Sequence, residues 1–342
     1  MRPLMLALLA ALLFGASTPA SKVLLGELSP FQLAGLLYLG AALGTAPSAW
    51  KVRRAKRGSR IDSKSRWRLA GAVFFGGVVG PVLVLLALRS STSASIALLL
   101  NLEIAATAVL GVLFFREHIG RWGWAGIAIG FLAGVLLSSA GGVTGMWAGV
   151  LVAAACAAWG IDNHLTALID GLIPAEATAW KGLVAGATNV TIGLALEPLG
   201  GSELHVLLAL GLGALSYGAS IVLYVLSAQQ LGATRAQVAF SSAPFLGAAL
   251  SFVLLGEPLL WRHVAAAPLL LVGIAILFFD RHEHEHTHEA LEHVHDHTHD
   301  DGHHDHAHPG LPPSTRHTHA HRHVGVTHGH RHLSDLHHRH PH

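Results

Sequence analysis

The chain has 342 residues, 52% of them hydrophobic and only 12% charged, with a formal net charge of +2. Soluble globular domains carry about 25% charged residues, so this composition excludes an ordinary water-soluble domain. Several apolar runs reach about 20 residues, enough to cross a hydrocarbon core of roughly 30 Å, and the chain reads as an all-α polytopic membrane protein.

In chain order the apolar runs predict ten spans, over roughly 3–20, 30–50, 68–88, 92–115, 121–140, 145–165, 174–196, 203–226, 233–255 and 262–280. The first run, with Arg2 before it and Thr18-Pro19-Ala20 after it, has the outline of a signal peptide. Its Phe14-Gly15-Ala16-Ser17 is echoed by Trp159-Gly160-Ile161-Asp162 in the sixth run, however, which assigns it to a repeated unit. Between the second and third runs, Lys51 to Arg68 holds nine basic residues and one acid, Asp62. Beside membrane spans such a cluster marks a cytoplasmic loop more simply than a nucleic-acid patch.

The fourth run, Thr92–Glu117, has a small-residue start, a long apolar stretch and a terminal Glu, and the same outline returns in Ala233–Glu257. In the fifth run Gly126, Gly130 and Gly134 make one smooth face, suited to close helix packing within the monomer or to a homodimer contact. The single cysteine, Cys156, allows no internal disulfide. With the basic loop inside, ten crossings place both termini in the cytoplasm. Five spans per half is an odd number, so the halves are expected as inverted repeats, over 3–140 and 145–280. Residues 281–342 differ in kind. They hold 23 of the 27 histidines, five Arg and nine acids, with too little apolar surface for a core, and are expected to be a disordered third region.

The doubled motifs resemble the drug/metabolite transporter superfamily, EamA type. The family's aromatic-Gly step matches Phe14-Gly15-Ala16-Ser17 and Trp159-Gly160. Its Glu-Pro step is split here between Glu103-Ile104 and Ala243-Pro244, and its Glu-containing turn is similar to Arg116-Glu117-His118 and Gly256-Glu257-Pro258. The basic residue usual in the second helix of each half corresponds to Lys181 in half two and to Leu37-Tyr38 in half one. The resemblance covers about residues 3–280. It implies a multi-pass inner-membrane transporter working by alternating access, with no enzymatic activity.

Glu103 lies near the middle of its span, where a charge costs about 2.5–3.5 kcal/mol on insertion scales, so it should face the bundle interior. It is expected to bind a cationic group, to couple proton movement, or to sit neutral and hydrogen-bonded to a neighbouring helix. Lys181 can pair with Glu103, hold a substrate carboxylate or snorkel to the interface. Asp162, Asn163 and His164 form the most polar run in any span; Asp162 and His164 are metal-ligand types, but consecutive helix residues point about 100° apart and cannot all face one ion. The alternative is an interfacial cap. Trp159, Tyr217, Tyr224 and Ser241 can line a substrate path or form interhelical contacts.

The tail alternates histidine with polar residues at His282, His284, His286 and His288, and again at His293, His295, His297 and His299, with further histidines at His303, His304, His306 and His308. Neutral imidazole binds zinc, nickel, cobalt and copper, so the tail is expected to bind such ions, although no cofactor is required. Three functions follow. The first is a transporter exporting amino acids or small polar metabolites, with a metal-binding regulatory tail. The second is a divalent-metal transporter gathering ions with the tail. The third is a membrane metal sensor or scaffold. The expected partners are the lipid bilayer, a small-molecule or ion substrate and transition-metal ions, and no nucleic acid.

Overall fold

The computed structural model describes residues 2–55, 62–115, 119–169, 172, 174–231 and 233–279, and four strands between 282 and 332. The chain divides into two compact units, Met1–Phe279 and Asp280–His342.

The first unit is helical throughout. Its helices are α1 (Arg2–Gly15), α2 (Ser17–Leu24), α3 (Pro30–Ala55), α4 (Ser63–Ala72), α5 (Gly80–Ser90), α6 (Ser93–Leu99), α7 (Leu102–Phe115) and α8 (Arg121–Ser138). They continue as α9 (Gly142–Ala167), α10 (Pro174–Leu196), α11 (Glu203–Gly213), α12 (Ser220–Leu231), α13 (Ala233–Phe240), α14 (Ala243–Leu254) and α15 (Trp261–Phe279). Two π-helical segments, Val73–Val79 and Ala214–Ala219, join α4 to α5 and α11 to α12. In the first of these the Gly80 N–H bonds the Phe75 carbonyl, five residues back, so the α-helical bonding pattern slips there.

Many large apolar side chains face outward, while several polar ones are buried beside an apolar core. Met5, Phe114, Phe131, Val143 and Val253 are exposed, while Gln32, Asn189, Ser216 and Asp162 are buried. A bundle dissolved in lipid tails places its hydrogen-bonding groups inside, where they can find partners. Helices α3 and α10 pack together, as do α8 and α15, and α6 and α14. The approach is close because small residues line the seams. A Cβ on Gly35 would stand 2.6 Å from the Val190 nitrogen, and one on Gly126 would stand 2.7 Å from the Gly273 carbonyl. The glycine face of α8 is therefore used within the monomer.

Among the described residues, seven helices are long and apolar enough to cross a membrane: Pro3–Leu24, Ser63–Ser90, Ser93–Phe114, Arg121–Ser138, Gly142–Ala167, Glu203–Ala228 and Arg235–Leu254. This corrects the expected ten spans in two inverted five-helix repeats. The expected spans at 30–50 and 174–196 are helices α3 and α10, but Gln32 and Thr45 in one, Lys181 and Asn189 in the other, and many Gly and Ala dilute their apolarity. Those two helices pack extensively against each other. The last expected span is a shorter apolar helix, Trp261–Leu277.

The second unit has four strands, β1 (His282–Thr287), β2 (Glu292–His297), β3 (His317–Arg322) and β4 (Thr327–His332). β1 pairs antiparallel with β4, and β2 with β3. The membrane-spanning part is all-α as expected; within the segment expected to be disordered, four six-residue stretches are strands. Histidine at every second position has the two-residue period of a strand, and the segments find partners of the same period. His288, His299, His303, His304, His306 and His308 lie outside the described residues, as does the Arg116-Glu117-His118 turn.

Candidate functional site

The site is built around the first π segment. Because the backbone bonding slips there, the Gly76 and Gly77 carbonyls accept bonds from side chains on three other helices. The Tyr38 hydroxyl of α3 donates to the Gly76 carbonyl (2.6 Å), and the Trp159 indole N–H of α9 donates to the same atom (3.0 Å). The Asn189 amide of α10 donates to the Gly77 carbonyl (3.0 Å). Glycine is required here by close approach: a Cβ on Gly76 would collide with the Asp162 carboxylate, and one on Gly80 would stand 2.6 Å from the Trp159 indole nitrogen.

Beside this segment lies an ion pair. The Lys181 Nζ donates to Asp162 Oδ2 at 2.6 Å, with side chains 19% and 7% exposed. Thr166 donates its hydroxyl to Asp162 Oδ1 (2.9 Å). Lys181 therefore neither snorkels freely nor pairs with Glu103. Asn163 donates to Glu103 Oε1 (2.9 Å) and to the Thr107 hydroxyl (3.4 Å), which fixes Glu103 against α9. His164 is buried, with Nδ1 placed 2.8 Å from the Gly160 carbonyl of its own helix. Asp162, Asn163 and His164 thus face three partners, as the 100° spacing predicts. Two of them bridge helices, which an interfacial cap would not do.

A small, partly open cavity lies next to this network. Phe14, Trp159 and Tyr217 supply aromatic walls, Ser17, Thr18 and Ser21 supply hydroxyls, and Leu37, Pro81, Val84, Leu85, Leu88 and Leu100 complete the lining. Among the described residues, no Asp, Glu, His, Lys or Arg lines it. Tyr217 comes from the second π segment, donates to the Ser17 hydroxyl at 3.4 Å and packs edge-on against Phe14. Of the residues singled out in the sequence, Trp159 and Tyr217 reach the cavity. Tyr224 instead donates to Gln237 (2.7 Å), and Ser241, in the turn after α13, donates to the Val238 carbonyl (2.7 Å). The sequence reading missed Ser17, Thr18, Ser21, Tyr38 and Asn189 as site residues. The Phe14–Ser17 echo was the signal for the first of these, and the Leu37-Tyr38 counterpart of Lys181 was the signal for Tyr38; nothing in the pattern marked Asn189.

One end of the cavity is held by a clasp. Lys22, next to Ser21, donates to the carbonyls of Leu88 (2.5 Å) and Ser91 (2.9 Å). Glu257 Oε1 and Oε2 accept from the Ser93 N–H (2.7 Å) and the Ala94 N–H (2.8 Å), and the Ser93 and Ser251 hydroxyls meet at 2.6 Å. The Ser95 hydroxyl lies 2.8 Å from His263 Nε2. The Glu of the repeated turn thus ties the start of α6 to the region after α14. Among residues whose side chains are described, no three His, Cys, Asp or Glu come together as a metal-holding group.

The model of the EamA-like transporter family matches twice, over residues 1–139 and 146–279. An uncharacterized transporter of Methanothermobacter thermautotrophicus is 26% identical over 296 residues, covering 79% of this chain and 84% of that protein. A crystal structure with 19% identity superposes with a TM-score of 0.56, covering 82% of this chain and 99% of the other, which speaks for the fold alone. The cavity lining draws on both matched segments, with Trp159 and Tyr217 from the second and the other lining residues from the first.

Proposed function

The chain belongs to the EamA-like transporter family, a family of membrane transporters and not of enzymes, and on that premise we propose that it exports amino acids or similarly small polar metabolites across the inner membrane. The observation that carries this reading is the cavity between the two matched segments. Its aromatic walls suit an apolar body, its hydroxyls suit hydrogen-bonding groups, and a lining without Asp, Glu, His, Lys or Arg among the described residues suits a compound of zero net charge, including a zwitterion. Alternating access would turn on that cavity, with the Glu257 clasp holding one end shut.

Energy coupling is assigned to the polar layer behind Trp159. Glu103 and Asp162 are two carboxylates, while Lys181 bonds only Asp162, so Glu103 is the group placed to take up a proton during the cycle. The basic segment from Lys51 to Arg68 orients the protein with that loop in the cytoplasm. The tail is read as a metal-binding regulatory segment.

The test is flux in proteoliposomes. Purified chain should exchange labelled neutral amino acids driven by an imposed pH gradient, and Glu103→Gln should remove the response to that gradient. Equal transport by Glu103→Gln at every pH would discard the coupling assignment. Metal flux without metabolite flux would replace the substrate reading with a divalent-cation transporter.

A further inference from the structure

The clasp at the end of the cavity contains an imidazole with both nitrogens committed. At the start of α15 the Leu260 N–H donates to His263 Nδ1 (3.1 Å), and His263 Nε2 lies 2.8 Å from the Ser95 hydroxyl of α6. A backbone N–H can only donate, so Nδ1 is the bare nitrogen and Nε2 carries the hydrogen that Ser95 accepts. The ring is buried and packs against the Phe252 ring of α14. Neutral His263 therefore ties together the end of the 255–260 loop, which carries Glu257, the first turn of α6 and one face of α14. The start of α11 repeats the local device without that tie. There the Ser202 N–H donates to His205 Nδ1 (3.1 Å), and a left-handed glycine precedes each start, Gly201 (φ 69°) and Gly256 (φ 63°). The bonds described for His205, to the Ser202 N–H and hydroxyl (3.0 Å), lie within the first turn of its own helix.

We infer that His263 is the positioning residue of the Glu257 clasp and that it holds the clasp closed only while neutral. A proton can enter the ring only at Nδ1, where it meets the Leu260 N–H head-on and breaks that bond. The 255–260 loop is then released at its α15 end, and Glu257 loses its fixed approach to the Ser93 and Ala94 N–H groups. Acid on this face of the protein thus opens the cavity end. The charges around the ring are few. Glu257 is near enough to favour the imidazolium, and Lys22 of α2 stands on the far side of Glu257 as its counter-charge. Arg262 turns its guanidinium over the Trp261 ring. Helices α6 and α14 carry no ionisable residue. Helix α8 carries only Arg121, at its start, and because Gly126 faces Gly273 and Leu277 that start lies by the opposite end of α15. The inference rests on the reading of the clasp as what shuts one end of the cavity, and adds the group that sets when it opens.

The experiment reads access to the cavity. Ser21, in the lining beside Lys22, is changed to Cys in a full-length Cys156→Ala chain purified in detergent, and its labelling by a water-soluble maleimide is timed from about pH 8 to about pH 5. The same is done with His263→Gln added. Gln accepts from the Leu260 N–H and donates to Ser95 but takes up no proton in this range, and comparing the two chains at each pH cancels the thiol's own titration. The ratio of parent to His263→Gln rates should be about 1 at the alkaline end and rise about fivefold at the acid end, the factor expected for one lost hydrogen bond. His205→Gln should keep the acid response of the parent. A ratio that stays flat, or a His205→Gln chain that loses the response equally, would overturn the assignment to His263. Glu257→Ala tests the clasp itself and should speed labelling severalfold at the alkaline end; if that chain does not fold, Glu257→Gln, which keeps one acceptor oxygen, should give a smaller rise. No rise in a folded Glu257 variant would overturn the clasp reading and the inference with it, whereas a rise beside a flat His263 ratio would overturn the inference alone.

Discussion

The two π segments are the same backbone device put to opposite uses. Each interrupts a long helix 10 or 11 residues after its start, at Val73 in the helix beginning at Ser63 and at Ala214 in the helix beginning at Glu203. Each packs on a long helix of the other matched segment, the first on α10 and the second on α3. In the first, carbonyls are offered outward and filled by Tyr38, Trp159 and Asn189. In the second, the Ser216 carbonyl is taken by Ser220 of the same helix, and the segment presents Tyr217 to the cavity. A duplicated scaffold therefore yields an asymmetric site: one copy anchors a charged layer and the other delivers a ring.

Breaking the charged layer gives the largest expected effect. Lys181→Met leaves the Asp162 carboxylate uncompensated and should cost about 3–5 kcal/mol of stability, read from unfolding in detergent; adding Asp162→Asn should recover most of it. Recovery by the double variant separates an unpaired charge from a packing defect. Next is the backbone itself. Gly76→Val sets a side chain against Asp162 and should cost about 1–3 kcal/mol or more, with loss of transport. Gly218→Ala, whose added Cβ meets Gly44 Cα at 3.1 Å in the second segment, should cost less because the backbone can shift by a few tenths of an ångström.

The side chains on the two segments sharpen the contrast at smaller scale. Trp159→Phe keeps a ring but removes the bond to the Gly76 carbonyl, and should cost about 0.5–1.5 kcal/mol. Tyr217→Phe gives up only a 3.4 Å contact to Ser17 and should leave stability nearly unchanged while altering substrate preference in a competition flux assay. The smallest effect lies at the helix starts. Asp62 caps α4 by accepting from the Ser65 N–H, and that hydrogen bonding holds its carboxyl below the ordinary value. A depressed folded-state pKa contributes stability above the unfolded-state value and loses it as pH falls through the folded one. The helix beginning at Glu203 uses Ser202 and His205 instead. Asp62→Asn should therefore flatten a small acid-side slope in stability, seen in melting temperature across pH 2 to 5, and leave neutral-pH transport intact.

Much of the fold was legible because membrane solvation writes itself into composition. Long apolar runs mark helices, and the echo of Phe14-Gly15 in Trp159-Gly160 marks the duplication that the family match repeats over 1–139 and 146–279. The span count was less legible: α3 and α10 are long helices, but their apolarity serves a mutual seam of Gly35, Gly182 and Gly186, which a lipid-crossing criterion does not register. The site was legible in its members more than in its partners. Glu103, Asp162 and Lys181 stood out as charges within apolar runs, yet Lys181 chose Asp162, nineteen positions away, and Glu103 took Asn163.

By itself the sequence determined that the chain lives in a membrane, that it repeats, and which charges fall within apolar runs, since solvation depends on local composition. It also set the period of the tail, since alternation is a local property. Only the tertiary structure decided where helices slip into π turns, which carbonyls are thereby freed, and which distant side chains fill them. Those choices depend on how closely two backbones approach, and that is fixed jointly by residues more than a hundred positions apart, such as Gly77 and Asn189.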